Sequence, residues 1–317
     1  MTYLIRALQT LCLLLLGMQT NAQCVITPSN INFGNINPLT TTSATTTGSV
    51  NINCSSLSIG LGYRFCINIG MGSSSTSYNP RVLTSTPNTL NYNLFKNAGF
   101  SQIWGTGTQP VSGSSYQIDI VALLGLINQN VTMYASIPSI TPTTPPGTYT
   151  STFTAGGSNT TNYSATVLLS CGALLGTTVN NVTFNVTANI SSSCSVAATP
   201  INFGSHTSLA TSKTASGNLS VRCTNTTPYT ISLNAGTTSG ATVASRKLQG
   251  NSSTVSYQLY RDAGYTQAWG DGTLGTSTQS ATGTGLSQPF TIYGRTDPQA
   301  TPAGGSYTDS ITVTITY

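Results

Sequence analysis

Glutamate is absent from the 317 residues, histidine occurs once, at His206, and the five acidic side chains are all aspartates: Asp119, Asp262, Asp271, Asp297 and Asp309. General acid–base catalysis ordinarily draws on histidine or paired carboxylates, so this inventory argues against an enzyme. Metal binding is as poorly supplied, because no CxxC pair exists and one histidine cannot complete a ligand set; no metal and no cofactor are expected. Basic residues never cluster beyond the pair Arg246 and Lys247, so the electrostatic stripe of a nucleic-acid binder is missing. Long hydrophobic runs are scarce too. The run at residues 11–16, behind Arg6 and ahead of the small residues Thr20 and Ala22, reads as a secretory signal peptide over 1–22. It falls short of the ~20 apolar residues of a membrane-spanning helix. Gln23 stands before Cys24 where a lipoprotein signal would carry a small residue, so Gln23 is expected to begin the mature chain. Without Arg6 the net charge falls from +5 to +4.

Threonine, serine, asparagine and glycine dominate what remains. Their abundance alone would fit disorder, yet apolar residues alternate in blocks such as "GSVNINC", "NVTFNVTANI" and "TISLNAG". That period of two belongs to half-buried strands, and an ordered all-β protein follows. Asn-x-Ser/Thr triplets arise by chance in such a composition and carry no weight.

The chain repeats itself. "CVITPSNINFG" from Cys24 answers "CSVAATPINFG" from Cys194; "GSVNINC" at Gly48 answers "GNLSVRC" at Gly217; "LNYNLFKNAGFSQIWGTGT" from Leu90 answers "VSYQLYRDAGYTQAWGDGT" from Val255. Two homologous sandwich-sized domains are expected, over 23–190 and 191–317, joined near "SSSC". Removing the signal leaves six cysteines, an even number that favours disulfides in an exported chain. Cys24 and Cys54 occupy the positions of Cys194 and Cys223, so each pair is expected to close within its own domain. That leaves Cys66 for Cys171. Each loop of about 30 residues should gain ~2–4 kcal/mol. Aligning Tyr63 with Tyr229 sets Cys66 opposite Ser232 and makes the third bridge private to the first domain.

The quoted segments, with "YGRTDPQATPAGGSYTDSITVTITY" and the paired cysteines, resemble the spore coat protein U domain shared by subunits of archaic, Csu-type chaperone-usher pili. The second copy matches along nearly its full length. The first departs, with "WGTGT" for "WGDGT", "PPGTYTSTFT" for the closing motif, and extra segments. Two such domains in one exported chain resemble the two-domain tip adhesin. The resemblance implies tandem immunoglobulin-like β-sandwich domains, the C-terminal one lacking its last strand. It also implies a periplasmic chaperone, an outer-membrane usher and an adjacent subunit supplying the strand as partners, and an extracellular place at the pilus tip.

Counting strands leads the same way. After "GTYTSTFT" the first copy continues into "TTVNNVTFNVTANI", where Val182, Phe184, Val186, Ala188 and Ile190 mark a long strand over 177–190. In the second copy, "GSYTDSITVTITY" has no successor. Ile311, Val313, Ile315 and Tyr317 would line an open groove beside an unpaired edge, to be filled by a strand from another chain. An ordinary sandwich ending on an edge strand is the plain alternative. Because Cys24 follows so closely on Gln23, the chain is expected to accept a strand and not donate one, which suits the outermost subunit of a fibre.

The first copy is elaborated at three places. "SSLSIGLG" is three residues longer than its counterpart between Cys54 and Tyr63; the stretch from Trp104 to Tyr134 is six longer and carries "VALLGLI"; "CGALLG" runs from Cys171 to Gly176. Apolar runs are usually core, and "YQIDIVALLGLI" also reads as one uninterrupted strand. The second copy forms a core without these segments, however, and their glycines suit turns. Leu57, Ile59, Leu61, Val121, Leu123, Leu124, Leu126, Ile127, Ala173, Leu174 and Leu175 are therefore candidates for exposed loops that grip a hydrophobic or host surface. Trp104 and Trp269, at equivalent places, read as core. Asp271 in "WGDGT" reads as an Asx turn and not as a calcium ligand. A lectin and a coat or matrix protein are the rival functions.

Overall fold

The computed structural model describes residues 23–106, 113–165, 170–171, 176–179 and 182–317; the signal-peptide boundary lies outside them. Regular structure among these residues is entirely β. The strands are β1 (Gln23–Pro28), β2 (Ile31–Ile36), β3 (Ala44–Ser55), β4 (Gly62–Ile67), β5 (Arg81–Ser85), β6 (Asn88–Phe95), β7 (Tyr116–Val121), β8 (Ile127–Ile137), β9 (Gly147–Phe153), β10 (Thr161–Ser164), β11 (Thr177–Val179) and β12 (Phe184–Ile190). They continue with β13 (Cys194–Ala198), β14 (Lys213–Cys223), β15 (Pro228–Leu233), β16 (Arg246–Gln249), β17 (Thr254–Tyr260), β18 (Gln279–Thr282), β19 (Gln288–Thr296) and β20 (Val313–Thr316). Two compact units emerge. One holds the residues up to Gly34, Ser43–Ser139 and Thr148–Ala188; the other holds Asn35–Thr42, Ile140–Gly147 and Asn189–Tyr317.

Alternation builds the first sandwich. Along β12 every second side chain, Phe184, Val186, Ala188 and Ile190, is buried while Asn185 and Asn189 face out, as the pleat requires. An eight-stranded sheet in the order β1-β3-β8-β6-β5-β9-β12-β2 faces a four-stranded sheet, β11-β10-β4-β7. Phe65, Trp104, Tyr149, Phe153 and Phe184 fill the space between them. The second sandwich sets a five-stranded sheet, β13-β14-β19-β17-β16, against a three-stranded one, β18-β15-β20. Leu219, Val221, Tyr229, Ile231, Leu233, Leu259 and Trp269 form its core.

Shared hydrogen bonds fix how the copies correspond. The indole of Trp104 donates to Ile67 O at 2.9 Å, and that of Trp269 to Ile231 O at 3.2 Å. Buried Arg81 donates to Ile69 O, Gly70 O and the side chain of Asn93; buried Arg246 donates to Leu233 O, Asn234 O and the side chain of Gln258. Ile67 is thus equivalent to Ile231, and Cys66 to Thr230. This corrects the alignment of Tyr63 with Tyr229, which is two residues out of step: Phe65 holds the place of Tyr229. Phe65 lies eleven residues after Cys54 and Tyr229 six after Cys223, so the first elaboration makes its copy five residues longer here, not three. The aromatics of 63 and 65 both point inward, so sequence alone offers two equally good registers.

Disulfides join Cys24 to Cys54, Cys66 to Cys171, and Cys194 to Cys223. The first and third link strands at directly paired positions, β1 to β3 and β13 to β14. The expected long strand over 177–190 is two strands in different sheets, β11 against β10 and β12 between β9 and β2.

Candidate surface-binding crest and strand-acceptor groove

The loop that carries the chain from β7 in one sheet to β8 in the other is closed by a tight two-residue turn. Leu123 and Leu126 bridge, Leu126 N donates to Leu123 O at 3.0 Å, and the two residues between them, Leu124 and Gly125, have φ of 53° and 76°. Positive φ at both central positions is the type I′ geometry that suits the twist of paired strands. "YQIDIVALLGLI" is therefore not one strand. Gly125 is required twice, by its φ and because a Cβ there would stand 2.9 Å from Leu57 O.

That contact belongs to a seam between two loops. Leu57 N donates to Gly125 O at 3.1 Å, Gly60 N to Ala122 O at 2.9 Å, and Ala122 N to Leu61 O at 2.9 Å. The Tyr63 hydroxyl accepts from Ser58 N at 3.0 Å. The first and second elaborations are thus stitched into one body with two kinds of side chain. Leu57, Ala122 and Ile127 point inward, with Leu57 5% and Ile127 4% exposed. Ile59, Leu61, Val121, Leu123, Leu124 and Leu126 point out, Leu123 at 72% and Leu124 at 82% exposure. Leu57 and Ile127, grouped with the surface loops on sequence, are corrected to anchors: the seam turns them under the crest. Ala173, Leu174 and Leu175 lie outside the described residues. Behind the crest, Arg64 and Asp119 pair across β4 and β7 at 2.5–2.7 Å. The hydrogen bond from Arg64 holds Asp119 below the usual carboxylate range.

In the second sandwich the informative feature is a strand position. In the first, β12 lies between β9 and β2, and Phe184 stacks on Phe153 with centroids 4.4 Å apart. The equivalent of β2 is the "INFG" segment 201–204, which forms no strand among the described residues. The equivalent of β9 is 305–311, paired on one side through Thr308 and Gln249 as Thr150 pairs with Thr84. Among the described residues no strand lies on its other side. Burial records the difference: Tyr149, Ser151, Phe153 and Ile31 are inaccessible, whereas Tyr307, Asp309, Ile311 and Ile201 are half-exposed.

Of the groove residues expected from sequence, Ile311 flanks this position. Val313 and Ile315 lie on β20, paired with β15 and packed partly buried on the core; Tyr317 is exposed. Ile201 and Phe203, also only partly buried against the core, were not anticipated as groove wall. Their signal was the repeated "INFG", whose first copy pairs with β12. Trp104 and Trp269 are buried. The Asp271 carboxylate accepts from Thr273 N at 2.9 Å and from its hydroxyl at 2.6 Å, an Asx turn.

Comparison with known families decides the kinship. The Spore Coat Protein U domain matches twice, over residues 9–156 and 180–314. The chain belongs to the spore coat protein U domain family. Protein U of Myxococcus xanthus is 33% identical over 149 residues, spanning 42% of this chain and 82% of that protein. In fold, the chain is similar to a chain of the CsuC–CsuE chaperone–tip adhesion subunit pre-assembly complex from the archaic chaperone-usher Csu pili of Acinetobacter baumannii. That match has a TM-score of 0.53 at 14% identity and covers 93% of this chain and all of the other.

Proposed function

We propose that the protein is the tip adhesin of a chaperone-usher pilus, attaching cells through the apolar crest of its first domain and joined to the fibre by a strand received in its second. In this reading it passes through the periplasm on a chaperone, meets an outer-membrane usher, and performs no chemistry. The observation that carries the proposal is the inequality of the two copies. One sandwich has β12 and the crest; the other has neither among its described residues, and its flanking segments keep half-exposed apolar side chains.

The crest is suited to adhesion because it is rigid. Three backbone hydrogen bonds hold the two loops together before any surface is met, which lowers the ordering cost of contact. Each of its six side chains can gain up to ~1.5 kcal/mol on burial, cut by partial contact, and many copies per cell add avidity. Replacing Ile59, Leu123 and Leu124 together with aspartate should lower attachment to polystyrene by at least about tenfold without lowering the melting temperature. Unchanged attachment by a folded triple variant would refute the crest. Free sugars should not compete, as they would for a lectin. The kinship with Protein U favours a coat or matrix role as second reading, in which attachment of whole cells would be indifferent to these substitutions.

A further inference from the structure

Among the described residues, segment 305–311 of the second sandwich has a neighbour on one side only, through Thr308 and Gln249. Its counterpart β9 sits between β5 and β12. One residue differs in a way that bears on this: where β9 has fully buried Ser151, the second copy has Asp309. The Asp309 carboxylate accepts from Thr237 N at 2.8 Å, the Thr237 hydroxyl at 3.2 Å, the Thr238 hydroxyl at 3.4 Å, the Tyr257 hydroxyl at 2.8 Å and Ser310 N at 2.9 Å. The loop it grips is shaped to receive it. Gly236 has φ +90° and a Cβ there would collide with the carboxylate. The equivalent Gly72 has φ +89° and would collide with Ser151 instead. Loop and strand are thus common to both copies, and only the fastening group has changed. Burial and the bond to Asp309 both push the Tyr257 phenol up, keeping it a donor to the carboxylate.

We propose that Asp309 is a positioning residue, a latch that holds the receiving segment 305–311 against the 236–238 loop and Tyr257 while the place beside it is empty. An acceptor edge with few ladder bonds would otherwise fray, and a frayed edge offers a partner strand no template. Ionised acceptors make the stronger hydrogen bonds, so one carboxylate with five donors replaces part of what β12 supplies to β9. The inference rests on the acceptor reading for its purpose but not for its test.

The test is amide hydrogen exchange on the full chain without added peptide, comparing wild type, D309S and D309N. D309S installs the first copy's residue; D309N keeps an acceptor but not the charge. Exchange at Thr308–Thr312 and at Thr237 should accelerate at least about tenfold in D309S and less in D309N, with β14 and β19 unchanged. Equal exchange in D309S and wild type would overturn the latch, as would uniform acceleration across the second sandwich, which marks a general packing role. A peptide of residues 182–190, carrying the β12 strand, then separates the two ideas. If exchange responds as expected and the peptide binds none of the three proteins, the latch stands and the acceptor reading falls.

Discussion

Leu124 occupies a backbone conformation that costs a leucine roughly 1–2 kcal/mol, and it holds the most exposed large apolar side chain of the crest. Asparagine tolerates that geometry, so L124N should raise stability by about 1 kcal/mol and weaken attachment together, measured by thermal melt and adhesion to polystyrene. A built-in control exists. Leu274 and Gly275 form the same turn in the second sandwich, with φ of 50° and 78° and Leu274 exposed. L274N should give a similar gain in stability and leave attachment untouched. Loss of attachment in L274N would show that the crest is not the sole grip. Beneath the crest the sign reverses: Leu57→Ala should cost ~2–5 kcal/mol. The sequence "VALLGLI" contains inward and outward leucines that look alike, and only the Leu-Gly turn and the seam to Leu57 separate them. Duplication identified the segments, but not which side chain in each points where.

Strands were legible where alternation is strict, as in β12, β3 and β14, and less so where a strand changes sheets or a loop changes length. The stretch 177–190 serves two sheets, and its sequence carries a mark of the division: Val179 is out of phase with Val182, Phe184, Val186, Ala188 and Ile190, with the pair Asn180 and Asn181 at the break, a signal overshadowed by the long even-numbered run. Register in β4 slipped by two because Tyr63 and Phe65 satisfy the same inward requirement; the indole bond from Trp104 to Ile67, invisible in sequence, resolves it. One covalent feature of the first sandwich has a measurable scale. Cys66–Cys171 closes a separation of 105 residues, and substituting both by serine should lower the first unit's stability by ~2–4 kcal/mol. The second unit, with its own Cys194–Cys223 bridge, should melt unchanged. Calorimetry resolving two transitions would check this, and an equal fall in both would contradict it.

Across the whole molecule, the repeated "INFG" and closing motifs made a two-sandwich protein readable, and the surplus strand of the first copy is the basis for the strand-accepting place proposed in the second. The far wall of the proposed place, Ile201 and Phe203, was hidden because a groove is defined by what does not pair. The wall is testable separately. F203D should leave the vacant chain folded, since Phe203 is only partly buried, yet block strand uptake. The most direct measurement is the melting temperature of the second unit, in the full chain, titrated with a peptide of residues 182–190, which carries the strand that lies between β9 and β2 in the first sandwich. A strand entering the vacant place at a hundredfold excess over its Kd should stabilise the fold by ~2.7 kcal/mol and raise the transition by about 10 °C, with F203D unresponsive. No shift at saturating peptide, or a shift retained in F203D, would contradict the account.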